Sequence, residues 1–448
     1  MGGHALQRIS RAARSATCAA SGRHRRGIGA PVSTVGISIR DLAPGEAFLR
    51  QSDCGVDARI HIAEGPWKFH DALRLACGGI YGGARLNPDL TLAWTGTDAD
   101  LTLTAEQIAV GGMGVCPCGR QVTRGGSIQS TGDILFRSTG AGLSSTFTVN
   151  SMSYLRTMPE GTETLPGVAA TPSLNVLSDG TVELYGIVDA AGFGGDLLID
   201  ANGAVLVDAT VRANDRMTIN SRRSAETGIE LSQLILLTNA AGQLLNEQGR
   251  IIDKNGFLID AQGRFVDTNG NLLLSGAVPV SGGLPVRISG GSLDADSIVL
   301  TSSAGTRLLG QTGALSIVSS QLVSSTRSLT VNASTFLEIS GRQQASATID
   351  LRASDLTVDR DAVILANSAV HLLGGKSEIA GFVGSPSTVV LNALESLVVT
   401  GTIQSGGRIN AAAGVSSTWT VAQLLSDSIT RAQLNGGSIS VERSGVLD

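Results

Sequence analysis

"GSIQSTGDI", residues 126–134, returns almost unchanged as "GTIQSGGRI" at 401–409. The shared form is G-[ST]-I-Q-S-x-G-x-I, and "GSLDADSI" at 291–298 follows the same alternation. Aliphatic residues at every other position, with small polar ones between, are strand spacing, because successive strand side chains point to opposite faces. Similar short runs begin at 297 (SIVLTS), 314 (ALSIVSS), 328 (SLTVNAS), 347 (ATIDLRA), 362 (AVILANS) and 387 (STVVLNA), 14 to 25 residues apart. That interval is too short for a helical crossover between parallel strands. It suits the coil of a β-solenoid, in which each turn of chain stacks a strand on the last. A sandwich or meander also uses short strands and regular turns. The 11 Pro and 3% aromatic residues favour the solenoid.

The core this implies is thin. Hydrophobic residues make up 42% of the 448, and Gly numbers 57. A globular core leans on aromatic side chains that cover roughly 150–250 Å² each; stacked Ala, Val, Ile and Leu suit a narrow lumen instead. A charged fraction of 16% is too low for charge-driven disorder. No run of about 18 apolar residues occurs, so no transmembrane helix is expected.

The net charge of -5 is unevenly spread. Residues 1–40 carry Arg8, Arg11, Arg14, Arg23, Arg25, Arg26 and Arg40 and no acid, which is +7 and leaves -12 for the rest. Such a leader reads as a transit peptide, a basic arm for nucleic acid or anionic lipid, or an unstructured start. Residues 41–120 hold Cys54, Cys77, Cys116 and Cys118, with Trp67 and Trp94; the fifth cysteine is Cys18. The four cysteines can pair as two disulfides, remain thiols or form one irregular metal site, and "CPC" at 116–118 lacks zinc-ribbon spacing. In "GPWKFHDALRLACGG", residues 65–79, Phe69, Ala72, Leu73 and Ala76 recur at helical spacing. A helix is expected there, within a small mixed region capping the solenoid.

A second repeat lies inside the chain. "NEQGRIIDKNGFLIDAQGRFVDTNGNLLLSG", residues 246–276, sets Gly249, Gly256, Gly263 and Gly270 seven apart, with Gly242 upstream. A coiled coil is excluded, since Gly costs about 1 kcal/mol against Ala in a helix and the pairs Ile251-Ile252, Leu258-Ile259 and Phe265-Val266 make no 3-4 seam. An EF-hand is excluded because Ile251 would fall where an acidic ligand is required. What remains is a four-residue turn opened by Asn or Asp and closed by Gly, then three strand residues. Successive units would reverse direction as an antiparallel meander that projects from the solenoid or lies along its side. Asp253 and Asp267 would share one edge and Asp260 the other. The expected order is a leader at 1–40, a cap at 41–120, solenoid at 121–240, meander at 241–276, and solenoid again at 277–448.

The alternation at 126, 291 and 401, together with "LTVNASTFLEISG" at 329–341, resembles the filamentous-haemagglutinin-like adhesins of two-partner secretion. The resemblance covers about 121–448, with a gap at 150–280. It implies a right-handed parallel β-helix and a structural or adhesive role at the cell surface. The family's N-P-N-L signature is met only by "NPDL" at 87–90, which departs at Asp89, and its N-P-x-G-I signature is missing.

The paired carboxylates Asp98/Asp100, Asp294/Asp296 and Asp359/Asp361 are the candidates for chemistry. Residues i and i+2 of a strand share a face, so each pair could act on one glycosidic bond. No His lies near them, and Asp at a bend more often bonds its own backbone. "GFGGD" at 192–196 echoes a calcium-binding glycine repeat but occurs once. "NAS" at Asn332 is a glycosylation acceptor in a eukaryotic secretory pathway, and "LTLT" at 101–104 is a single threonine pair. The reading is therefore an all-β parallel β-helix with an inserted meander, with no catalytic residue, cofactor or metal expected. Its function would be structural or adhesive, extracellular or at the cell surface, with organellar targeting open. Partners would be other chains or copies of itself at solenoid ends or edges, and surface glycans, not nucleic acid. The alternative is a β-helix that binds or cleaves a polysaccharide.

Overall fold

The computed structural model describes residues 59–441, apart from short stretches within that span, chiefly 87–91, 95–99, 116–120, 163–170, 274–279, 281–286, 315–326 and 426–431. The leader, all five cysteines and Asp98 lie outside the described residues. The named elements are strands throughout. They form a parallel β-helix whose rungs each contribute a strand to three faces.

Face A is a 13-stranded parallel sheet running from Arg59–Ile62 to Gln423–Leu425. Faces B and C belong to one 23-stranded sheet, because Thr348–Val358, Ala369–Ile379 and Thr388–Val399 pass from B to C without a break. One rung reads Thr402–Ser405 on A, Arg408–Ala413 on B and Ser416–Trp419 on C. Gln343, Ile364, Val383, Ile403 and Leu424 succeed one another in register on face A. Their intervals are 21, 19, 20 and 21 residues by subtraction of those numbers. All three copies of the opening motif land alike, on face A with the B strand following: Gly126–Ser130 before Ile134, Ser292–Asp294 before Ile298, and Thr402–Ser405 before Ile409.

Alternation turns one side of each strand inward. Ile80, Ile128, Leu155, Val188, Val211 and Leu293 stack beneath face A, each at most 1% exposed. Faces B and C add columns such as Ile134, Leu174, Leu197 and Phe147, Val182, Val205. Full burial of one such aliphatic side chain stabilises by about 1.5–3 kcal/mol. The lumen is narrow enough that a single aromatic contact, Phe136 on Phe147 at 4.9 Å between centroids, crosses it. The interior also holds polar groups: Thr312 Oγ1 donates to Gln343 Oε1 at 2.6 Å, and Gln343 Nε2 donates to the Gly310 carbonyl at 3.2 Å.

The corners explain the small residues. After face A the motif serine turns inward, where Ser405 Oγ reaches the carbonyls of Ser387 at 3.0 Å and Arg408 at 3.1 Å. Before face A, rungs approach so closely that a Cβ on Gly341 would overlap the carbonyl oxygen of Gly310, and one on Gly401 that of Gly381. Glycine is needed there for space between backbones.

The N-terminal region differs from expectation. The described residues of 65–79 form no helix; they supply Gly65–Lys68, Ala72–Leu75 and the start of Gly78–Gly82, one strand on each face. Leu73 and Leu75 stand opposite Ile108 and Val110, so the alternation Leu-x-Leu prevailed over a helical reading once a neighbouring rung offered backbone partners. In place of the small mixed cap expected at 41–120, the described residues of that region give strands. Apart from the hairpin Ala84–Leu86 with Leu92–Trp94, the strands described between 59 and 110 are rungs of the same solenoid, which runs on through 231.

The seven-residue repeat is a set of turns. Gly242, Gly249, Gly263 and Gly270 have φ of +76°, +71°, +80° and +86°. Each donates its N–H to the carbonyl of the Asn or Asp three residues earlier, at 2.8–3.1 Å. Asp260 Oδ1 accepts from the N–H groups of Gln262 and Arg264, both at 2.9 Å, and Asp267 Oδ1 repeats this with Asn269 and Asn271 at 2.8 Å. Between turns run antiparallel bridges such as Ile252 to Leu258, Ile259 to Phe265 and Val266 to Leu272. Ile252, Leu258 and Val266 make a hydrophobic cluster distinct from the solenoid core. The insertion is longer than 241–276: it leaves on an antiparallel stem, Ile235–Leu236 with Arg287–Ser289. The solenoid closes beneath it, with the Gly291 N–H bonded to the Ser232 carbonyl at 2.9 Å.

Candidate functional site on face A

Rung connections are unevenly distributed. Those longer than about ten residues are 83–100, 111–125, 158–173, 232–291 and 315–328. Every one opens at an edge of face A; between the described strands of faces B and C the longest connection is 139–145. The first includes the hairpin Ala84–Leu86 with Leu92–Trp94, and Trp94 packs edge-on against Tyr81 of face A, 6.3 Å between centroids. From Arg342 onward no such insertion occurs up to the last described strand, and face A lies between short corners.

Within the flanked part, the outward position after each core aliphatic forms a row along the solenoid. In register it runs Tyr81, Gln129, Arg156, Asp189, Arg212, Asp294 and Gly313. Beyond it the same position carries Gln344, Leu365, Gly384 and Gln404, none of them charged. Charge of alternating sign is therefore confined to four consecutive rungs, roughly 4.8 Å apart.

Two parts of the row differ. Arg156 Nη1 donates to Tyr154 Oη at 2.9 Å, Tyr154 Oη donates to Asp189 Oδ2 at 3.3 Å, and Arg156 Nε lies 3.8 Å from that oxygen. Burial, reinforced by the Asp189 charge, pushes the Tyr154 phenol well above its ordinary range, so it stays protonated. Asp189 is 6% exposed and is engaged by Tyr154 and Arg156. The other end is open. Arg212 is exposed and makes no hydrogen bond or ion pair among the described residues. Asp294 is half-buried, and burial pushes its carboxyl up to about 6; Arg212 opposes the rise while Asp296 and Asp189 add to it. Asp296 turns to the corner, 3.4 Å from Arg327 Nε.

Of the other expected pairs, Asp98 lies outside the described residues and its partner serves a corner. Asp100 Oδ1 accepts the Asp133 N–H at 2.9 Å, Asp133 Oδ1 accepts that of Ser173 at 2.6 Å, and Asp196 Oδ1 accepts that of Arg216 at 3.0 Å. These carboxylates tie the start of one B strand to the next rung, so Asp196 of "GFGGD" is corner chemistry. Asp359 and Asp361 sit in a turn closed by the Ala362 N–H on the Asp359 carbonyl at 3.0 Å. Burial, with Glu338, Glu378 and Asp361 nearby, raises the Asp359 carboxyl. Thr102 and Thr104 face Leu135 and Arg137 in the next rung, so no threonine ladder forms. Among the described residues no three or more His, Cys, Asp or Glu are grouped to hold a metal ion, and no helix is long and apolar enough to cross a membrane.

Sequence reading missed Tyr154, Arg156, Asp189 and Arg212. The signal was present: each of the three charged ones follows a core aliphatic, as Gln129 follows Ile128 in the motif. Neither a family model, a curated protein nor a solved structure matches the chain.

Proposed function

We propose that the protein is a structural and adhesive solenoid that holds an extended polysaccharide along face A. The observation that carries this is the coincidence of the long insertions with the edges of one face, and of the charged row with the rungs they flank. A side-chain row repeating every rung fits a polymer whose units follow one another along an axis. Binding sites gather where irregular chain is held on a rigid scaffold, and here the rungs are the scaffold. Other chains, or copies of this one, would meet it at solenoid ends or along the meander, at the cell surface.

A second reading is cleavage. Asp189 and Asp294 lie two rungs apart, roughly 9.5 Å between backbones, near the wider carboxylate separation of inverting glycosidases. Against it, Asp189 is already engaged by Tyr154 and Arg156. Affinity electrophoresis of the purified protein through gels containing a panel of polysaccharides tests the proposal. Retardation by at least one polymer without release of reducing ends supports adhesion. Release of reducing ends favours the second reading, and unchanged migration in every gel contradicts both.

A further inference from the structure

Arg212 and its neighbours carry a more specific conclusion, which rests on the reading of face A as a glycan-binding surface. Arg212 is the one exposed member of the four-charge row. Its register partners are Asp189 on one rung and Asp294 on the next. Asp189 is committed to Tyr154 and Arg156, whereas among the described residues Arg212 is the cation that acts on Asp294. The remaining charged group close to Asp294 is Asp296, itself beside Arg327, and the next rung brings Gly313.

An arginine at the centre of a glycan-binding row recognises an anion, since its planar fork matches a carboxylate. We infer that Arg212 receives the carboxylate of a uronic-acid unit in an acidic polysaccharide, and that Asp294 admits it when protonated and repels it when ionised. The protonated Asp294 also gains a donor that the incoming carboxylate can accept. A peptide carboxylate fits less well. The strands on either side of Arg212 consume the backbone groups that an added strand would use, leaving only side chains to bind.

Burial places the Asp294 titration in the physiological range, so affinity should fall as pH rises through about 6. Binding should take up a proton there, because a bound anion favours the neutral acid. The test is calorimetric titration of the full chain with oligogalacturonate at about pH 5 and about pH 7.5, with the fully methyl-esterified oligomer as neutral control; the uronate stays charged at both. Wild type should bind the acid form at least about tenfold more tightly at the lower pH, the scale of one like charge lost at close range. Asp294→Asn should bind equally well at both values, at the tighter level. Arg212→Gln should bind weakly at both while keeping the wild-type circular dichroism. Retained pH dependence in Asp294→Asn, or wild-type affinity in Arg212→Gln, overturns the inference. Equal binding of the neutral oligomer also overturns it while leaving the adhesive reading of face A intact. No binding of either oligomer overturns it too, and the polysaccharide panel then decides that reading separately.

Discussion

Replacing Gly263 by Val isolates the meander from the solenoid that carries it. Gly263 has φ +80°, and a Cβ built on it meets no atom within 4 Å, so steric overlap adds nothing. The cost is backbone conformation alone, about 1–2 kcal/mol for an L-residue in the left-handed region, with β-branching pushing towards the upper end. The turn bonds from Asp260 to Gln262, Gly263 and Arg264 make relaxation to another φ expensive. Because Ile252, Leu258 and Val266 form their own cluster, the penalty should be met by local opening. At about 1.4 kcal/mol per decade, amide exchange across 257–273 should rise roughly 10- to 30-fold. Mass-spectrometric hydrogen exchange reads this directly, with the long strands 348–399 as internal reference. Gly263→Asn, which tolerates the left-handed region, should cost much less. Unchanged exchange in the meander, or equal loss of protection in the reference strands, would refute the reasoning.

Three other substitutions probe the solenoid. Thr312→Val leaves Gln343 Oε1 without its buried donor and should cost about 1–3 kcal/mol in urea unfolding, while Thr312→Val with Gln343→Leu should recover most of it. Gly341→Ala forces adjacent rungs apart at the Gly310 carbonyl and should cost about 3 kcal/mol or more, read as a lowered Tm. Asp294→Asn should change the pH profile of stability. The folded carboxyl sits at about 6, above its unfolded value, so its contribution is full below about pH 4 and lost as pH rises through about 6. The loss reaches at most about 3 kcal/mol, so the variant should be the more stable protein above about pH 7 and should lack that slope.

The solenoid was legible because its signal is local. The motif residues Ile128, Leu293 and Ile403 each alternate with polar neighbours within a strand, and corner Ser and Gly residues follow Ile128 and Ile403 at fixed offsets. The meander was legible for the same reason, since each Asn-to-Gly turn is closed by bonds spanning three or four residues. Residues 65–79 misled because strands of four residues are too short for their alternation to outweigh a helical coincidence at Phe69, Ala72, Leu73 and Ala76. The charged row was hidden by distance along the chain. Arg156, Asp189, Arg212 and Asp294 are neighbours in space but stand 33, 23 and 82 residues apart by subtraction, because insertions of different length separate the rungs. Only the register restores their order. Of the three carboxylate pairs, Asp294/Asp296 touches the row through one member; the burial that distinguishes Asp294 comes from tertiary packing.

Hydroxyl-radical footprinting with and without the retarding polysaccharide tests the central claim most directly. Tyr154 and Ile187 are opposite each other on face A, and Ile187 is 38% exposed, whereas Leu394 stands 81% exposed beside a groove of about 1240 Å³ at the corner of faces B and C. The account predicts that bound polymer lowers oxidation of Tyr154 and Ile187 and leaves Leu394 as reactive as before. Protection of Leu394 with Tyr154 and Ile187 unchanged would contradict it, and would place the polymer in the corner groove.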